Sequence, residues 1–184
     1  MIVLGIDPGL RHTGFGIVES INNNYKLLDY GTISPNPKDK LSLRLLTLLD
    51  DLEIVINKYK PSIMSIEEVF YGKNVKSALL LGHARGVAMV CGAKYSIPVF
   101  EYSAKKVKQS LTGNGNAHKS QLQFMVMQDL SLKKFNGPSD ASDALAVAIC
   151  HCYQQNNVLN ANKNKNYKSW SDYIDKNPSK KVKS

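Results

Sequence analysis

The sequence has few cysteines and lacks any long uninterrupted run of apolar residues. Cys91, Cys150 and Cys152 form an odd set without disulfide spacing, and no second cysteine pair accompanies the "CHC" stretch. Residues i and i+2 lie on different faces of a helix, so we do not expect a zinc site there. Reduced thiols indicate a cytoplasmic protein. The apolar runs are too short to span a membrane, and no basic segment precedes the first one, so neither a membrane span nor a signal peptide is expected.

Acidic residues are the scarcer charged type. The 184 residues include 24 Lys and Arg against 15 Asp and Glu, for a net charge of +9. Residues 160–184 hold seven lysines and two aspartates without apolar periodicity. We therefore predict one domain over residues 1–156, followed by a disordered, basic, Asn/Lys-rich tail over 157–184. Because the body of the chain is basic as well, the charge favours a polyanionic partner.

The apolar pattern predicts an α/β fold. Three apolar stretches separated by turn residues within residues 1–33 predict three antiparallel strands. Leucines at helical spacing predict a helix over Leu41–Tyr59, which Pro61 ends. "SIMSIEEVF" and "IPVFEY" predict two further strands, which alternate with helices over about 74–95, 103–111, 119–131 and 140–155. The order predicts a five-stranded mixed sheet with helices on both faces. Between the third and fourth helices, "TGNGNAHK" predicts a mobile loop, and Ser103 is a candidate N-cap.

Carboxylates stand at the ends of three predicted elements. Asp7 ends the first strand ahead of a Pro-Gly turn, the apolar run of the fourth strand reaches a carboxylate at Glu67, and Asp140 and Asp143 share a side of the last helix at its start. Each has an ordinary explanation by itself, as a turn residue or a helix-start acid. If the first and fourth strands are neighbours, all four acids converge, and such like charges need cations. Carboxylate oxygens bind hard divalent ions, and two ions about 4 Å apart could hold a phosphodiester and activate water.

Two other classes of function fit less well. "DPGLRHTG" is similar to the phosphate loop of actin-like ATPases, but that fold needs a duplicated second domain for which the chain is too short. A nucleic-acid-binding module without catalysis would be favoured if one carboxylate were missing, and none is.

Over residues 1–155 the sequence resembles the RuvC family of Holliday-junction resolvases. The motifs that carry the resemblance are "GIDPG", "TGFGIVE", "IEEVF", "SALLLGHARGVA", "PVFEY", "VKQ", "KSQ" and "DASDALA". The resemblance implies an RNase H-like fold. It also implies a Mg-dependent endonuclease that resolves four-way DNA junctions by paired symmetric nicks, in homologous recombination and DNA repair.

The resemblance also implies roles for individual residues. The residues implied to bind metal and carry out catalysis are Asp7, Glu67, Asp140 and Asp143. Some relatives have histidine at the position of Asp140. The residues implied to contact DNA are Phe70, Tyr71, Lys108 and Lys119. Of these, Phe70 would insert at the junction centre, with Tyr71 beside it, and the lysines would lie near the scissile phosphate.

The implied cofactor is Mg²⁺, two ions per site, with Mn²⁺ able to substitute. The implied partners are four-way junction DNA, a second copy of the chain and the RuvA–RuvB branch-migration complex, without a membrane. Resolution of a junction requires two nicks and each chain holds one site, so we also expect a two-fold symmetric homodimer. The small residues of "GHARG" and Ala88 would allow close packing either against a second chain or against the chain's own sheet, and the sequence leaves both open.

Overall fold

The computed structural model describes residues 1–68 and 75–164, except the side chains of Lys76 and of residues 157–164. The elements are β1 (Ile2–Asp7), β2 (Thr13–Ile21), β3 (Asn24–Ile33), α1 (Leu41–Tyr59), β4 (Ile63–Glu67), α2 (Val75–Lys94), β5 (Val99–Tyr102), α3 (Ala104–Thr112), α4 (Lys119–Asp129) and α5 (Ser139–Asn164). Within these ranges no helix is long and apolar enough to cross a membrane.

The sheet has five strands in the order β3-β2-β1-β4-β5. β1 and β3 run antiparallel to β2, whereas β4 runs parallel to β1 and to β5. The parallel crossovers contain α1 and α2, since parallel neighbours need a long connection. The predicted five-stranded mixed sheet is therefore confirmed, with its first three strands antiparallel.

The two faces of the sheet carry different helices. Leu4 and Ile6 of β1 point into a core that α1 and α2 also line, with Leu52 and Ala84 fully buried there. The alternate residue Gly5 faces the opposite way and lies directly against α5. Helices thus cover both faces, as predicted.

The small residues of α2 divide between its two sides. Ala84 and Ala88 are fully buried in the core of the chain's own sheet. Gly82 and Gly86 lie elsewhere on the helix, and a Cβ added at either would meet nothing within 4 Å. The alanines therefore pack against the chain's own sheet, and contact of the open glycine side with a second chain stays a prediction.

Some element ends differ from the predictions. β4 ends at Glu67 rather than Phe70, and residues 69–74, with Phe70 and Tyr71, lie outside the described residues. The last helix continues to Asn164 because no Pro or Gly interrupts it, so residues 157–164 are helical where we expected disorder.

Met1–Cys152 is one compact unit, and a second begins at Tyr153. The division into a domain at 1–156 and a tail at 157–184 otherwise stays a prediction.

Candidate active site

Two strands deliver the first pair of acids. The register pairs Ile6 of β1 with Ile66 of β4, so Asp7 and Glu67 come next on neighbouring parallel strands. By alternation both side chains point to the face that α5 covers. The convergence of these two acids was predicted, on the condition that β1 and β4 are neighbours, and that condition is met.

Glycines bring the third element close enough to complete the site. A Cβ at Gly14 would overlap the carbonyl oxygen of Asp140, and one at Gly5 would overlap that of Ala144. Gly14 also pairs with Asp7 across the β1–β2 ladder. The start of α5 can therefore lie against the strand backbone only because side chains are missing at these positions.

This glycine contact was not predicted from the sequence. Its signal was available in the alternating glycines of "TGFG" in β2, which lie on one face of the strand. The matching signal in α5 is a run of small residues at helical spacing, Ala141, Ala144 and Ala148, all fully buried. Matching the glycines of β2 with the small residues of α5 would have shown which strand α5 crosses.

The four predicted acids form one site with two overlapping subsets. Asp7, Asp140 and Asp143 can each offer an oxygen such that the three atoms lie within 4.8 Å of one another. Glu67 is not in that set but lines a cavity of about 220 Å³ together with Asp7 and Asp143. Asp7 and Asp143 therefore belong to both subsets, with Asp140 on one side and Glu67 on the other.

Burial and mutual repulsion make the cluster unfavourable without cations. Burial raises the pKa of Asp7 to about 8, and the charges of Glu67, Asp143 and Asp140 contribute to that rise. Burial, followed by the charge of Asp143, raises the pKa of Glu67 to about 7. A site of this kind holds protons at neutral pH unless a cation takes their place.

Two lysines stand at the same cavity. Lys119, the first residue of α4, donates a hydrogen bond to Asp143, and Lys108 of α3 lines the cavity wall. Burial alone would lower the pKa of Lys119, but its hydrogen bond to Asp143 and the nearby acidic charges outweigh burial and raise it. The predicted contact of both lysines with DNA stays a prediction.

The side chain of Gln109 makes two hydrogen bonds to the loop that connects the two lysines. The amide of Gln109 donates to the carbonyl oxygen of Gly113 at 2.7 Å and accepts from the N–H of Gly115 at 3.0 Å. Gly113 has a φ of 73°, which favours glycine. These hydrogen bonds link the loop to α3, and the predicted mobility of the loop stays a prediction. The predicted N-cap is confirmed, since the Ser103 side chain accepts from the N–H of Lys106.

The chemistry of the cavity wall suits hard cations. Its lining residues are Asp7, Glu67, Ala104, Val107, Lys108, Lys119, Leu122 and Asp143. Among these described residues there is no Ser, Cys or His to act as a nucleophile, and the donors are carboxylate oxygens. Such a donor set fits Mg²⁺ or Mn²⁺ and suits metal-assisted hydrolysis at phosphorus.

Comparisons with known proteins agree with this geometry. Residues 3–151 match the family model described as "Crossover junction endodeoxyribonuclease RuvC". The enzyme of that name from Desulforamulus reducens is 50% identical over 151 residues, which are 82% of this chain and 93% of the relative. The one from Ruminiclostridium cellulolyticum is also 50% identical, over 82% of this chain and 91% of the relative.

Solved structures give the same result. The structure described as "T. thermophilus RuvC in complex with Holliday junction substrate" matches with a TM-score of 0.80 and 31% identity, covering 84% of this chain and 94% of that one. The yeast mitochondrial Holliday junction resolvase Ydc2 shares the fold, with a TM-score of 0.57 at 14% identity, over 83% of this chain and 79% of that chain. The matched residues 3–151 include Asp7 and Glu67 on the sheet and Asp140 and Asp143 at the start of α5. The chain belongs to the RuvC family of crossover junction endodeoxyribonucleases.

Proposed function

We propose that this protein is a divalent-metal-dependent endonuclease that resolves four-way DNA junctions by paired symmetric nicks, in homologous recombination and DNA repair. The observation that carries the proposal is the convergence of Asp7, Glu67, Asp140 and Asp143 at one end of the β1–β4 pair. Family membership supports the substrate, since a relative with the same fold was solved with a Holliday junction.

The proposed cofactor is Mg²⁺, two ions per site, with Mn²⁺ able to substitute. Asp7, Glu67, Asp140 and Asp143 would hold the ions, because these are the carboxylates that the fold brings together at this cavity. When bound, the ions would supply Lewis-acid stabilisation of the phosphate and lower the pKa of the attacking water.

The chain's own residues orient the substrate. The carboxylates fix where a phosphate can approach, and Lys108 and Lys119 offer positive charge at the same cavity. We propose that both lysines contact the DNA backbone near the scissile phosphate, where fixed cations stabilise the developing charge. Phe70 and Tyr71 follow β4 in the chain, and we propose from the family resemblance that they contact the junction centre.

The proposed active form is a homodimer. Leu79 and Val90 of α2 are 61% and 63% exposed, and the open Gly82 and Gly86 lie between them at helical spacing. An apolar stripe with open glycines on an outer helix suits close contact with a second copy. Two chains would supply the two sites that paired nicks require, with the symmetry of the substrate.

We also propose a cytoplasmic location and the RuvA–RuvB branch-migration complex as a partner. The location is supported by three cysteines that are all free and buried. The partner rests on family membership.

The deciding experiment compares a synthetic four-way junction with a linear duplex of the same sequence. We expect cleavage of the junction in Mg²⁺, at symmetric positions on two strands of like polarity, and none in EDTA. Asp7→Asn should still bind the junction but fail to cut it. Cleavage without metal, or equal cleavage of the duplex, would contradict the proposal.

A further inference from the structure

The ammonium of Lys119 lies inside the acid cluster rather than on an outer surface of α4. It donates to Asp143, whose side chain is 18% exposed, while the Lys119 side chain is 59% exposed. The carboxylates of Asp7 and Asp140 act on the same ammonium. The lysine therefore lies in the negative potential of the three acids that could hold an ion.

The neighbouring structure keeps the lysine there. Lys119 begins α4, directly after the loop that Gln109 clamps through Gly113 and Gly115. Rotation of the Lys119 side chain, which is 59% exposed, can take the ammonium away from Asp143.

A divalent ion and this ammonium compete for one carboxylate. Asp143 accepts from Lys119 and is also one of the three acids whose oxygens lie within 4.8 Å of one another. An ion bound there would stand a few ångströms from a positive charge, and such charges repel. Breaking the ion pair costs little free energy, because exposed pairs contribute little.

We propose that Lys119 is the built-in counter-cation of the metal-free site, and that a divalent ion must displace its ammonium from Asp143. The inference rests on the proposed metal-dependent function and adds a role for Lys119 in metal loading. The displaced ammonium becomes free to contact a phosphate.

The exchange links metal binding to DNA binding. Contact of Lys119 with a phosphate and binding of an ion by Asp143 both require the Lys119–Asp143 ion pair to break. Whichever binds first removes that requirement for the second, so each raises the affinity of the other by the same factor.

The test measures Mn²⁺ binding to the DNA-free protein by isothermal titration calorimetry. We expect Lys119→Met to bind Mn²⁺ about 2–5-fold more tightly than wild type, as expected for removal of a pair of this exposure. Lys106→Met is the matched control, because Lys106 is an exposed lysine of α3 that does not line the cavity, and it should leave the affinity for Mn²⁺ unchanged. Lys119→Arg should bind Mn²⁺ like wild type.

The outcomes separate this inference from the proposed function. Equal Mn²⁺ affinity in wild type and Lys119→Met would overturn the inference alone, since the lysine and the ion would then use different oxygens. Absence of Mn²⁺ binding in every variant would overturn the metal site and the inference together. Should Lys119→Met fail to fold, Lys119→Gln tests the same point.

A second measurement tests the linkage. Junction affinity is measured with and without Ca²⁺, under conditions in which no cleaved product forms. We expect Ca²⁺ to tighten junction binding about 2–5-fold more in wild type than in Lys119→Met, because only wild type has the pair to break. An equal effect of Ca²⁺ on the two proteins would overturn the linkage.

Discussion

The Asp7 carboxyl makes the stability of the metal-free protein depend on pH in a defined direction. Burial, reinforced by Glu67, raises the pKa of Asp7 from 3.8 to about 8. The folded chain therefore binds this proton more tightly than the unfolded chain does. The resulting stability is fully present below about pH 4 and is lost as the pH rises toward 8.

The size of the effect follows from the same numbers. A pKa raised from 3.8 to about 8 is about four tenfold changes, which correspond to roughly 5–6 kcal/mol for a fully shielded carboxyl. Asp7 lines a cavity that admits water, and screening reduces the effect to about 2–3 kcal/mol. For a chain of this size, that change in the free energy of unfolding shifts the melting temperature by roughly 5–10 °C.

Asp7→Asn isolates this contribution, because asparagine has nearly the same shape and does not titrate. In EDTA, we expect the melting temperature of wild type to fall relative to that of the variant as the pH rises from 5 to 8. Mg²⁺ at pH 8 should restore wild type but not the variant. Asp50→Asn is the control, since this exposed carboxylate of α1 lies on another element, and it should shift the melting temperature equally at both pH values.

Differential scanning fluorimetry across this range decides the matter. If wild type and Asp7→Asn changed in parallel from pH 5 to 8, the proton would not reside on Asp7. The account of a repulsive, cation-requiring cluster would then be refuted, whatever the cleavage assay gave.

Three further predictions concern packing, assembly and charge. Gly14→Ala should lower the free energy of unfolding by about 1–3 kcal/mol, because the added methyl pushes Asp140 away. For the same reason it should abolish Mn²⁺ binding measured by calorimetry. Gly82→Ala is the control and should change neither quantity, because a Cβ at Gly82 meets nothing within 4 Å. Gly86→Arg should convert the dimer to a monomer by light scattering and abolish paired nicking; a variant that stays dimeric would move the interface off this stripe. Deleting residues 160–184 should flatten the slope of log junction affinity against log salt, by roughly 0.9 for each phosphate that the tail neutralises, without changing the cleavage pattern; an unchanged slope would mean that the tail does not touch DNA.

The sequence was sufficient for the fold because each element carries its own local signal. Pro61 follows α1 directly, and Lys60, with a φ of 47°, supplies the left-handed residue at its end. Asp7 and Glu67 were predictable for a related reason, since a charged residue at the end of an apolar run can be recognised from the sequence alone. Asp140 and Asp143 were predictable from helical spacing.

The remaining features depend on contacts between elements far apart in the chain. The contact of Gly14 with Asp140 and the hydrogen bond of Lys119 to Asp143 have no local signature. Composition also did not indicate that Gln109 of the preceding helix bonds to both Gly113 and Gly115 of the loop after α3. Small residues in α2 indicated close packing but not which of them face inward.

The glycine contact explains how the fold can hold like charges together. At Gly14 the backbone of β2 lies against the backbone of α5, so no side chain can move aside to make room. Leu145 of α5, which lies near this contact, is fully buried. The backbones that carry Asp7 and Asp140 therefore stay close together for as long as α5 packs on the sheet. Their repulsion can be relieved only by positive charge: protons on Asp7 and Glu67, the ammonium of Lys119, or a divalent ion. Because protons and a divalent ion bind the same carboxylates, we expect metal affinity to fall as the pH drops below about 8, where protons occupy Asp7.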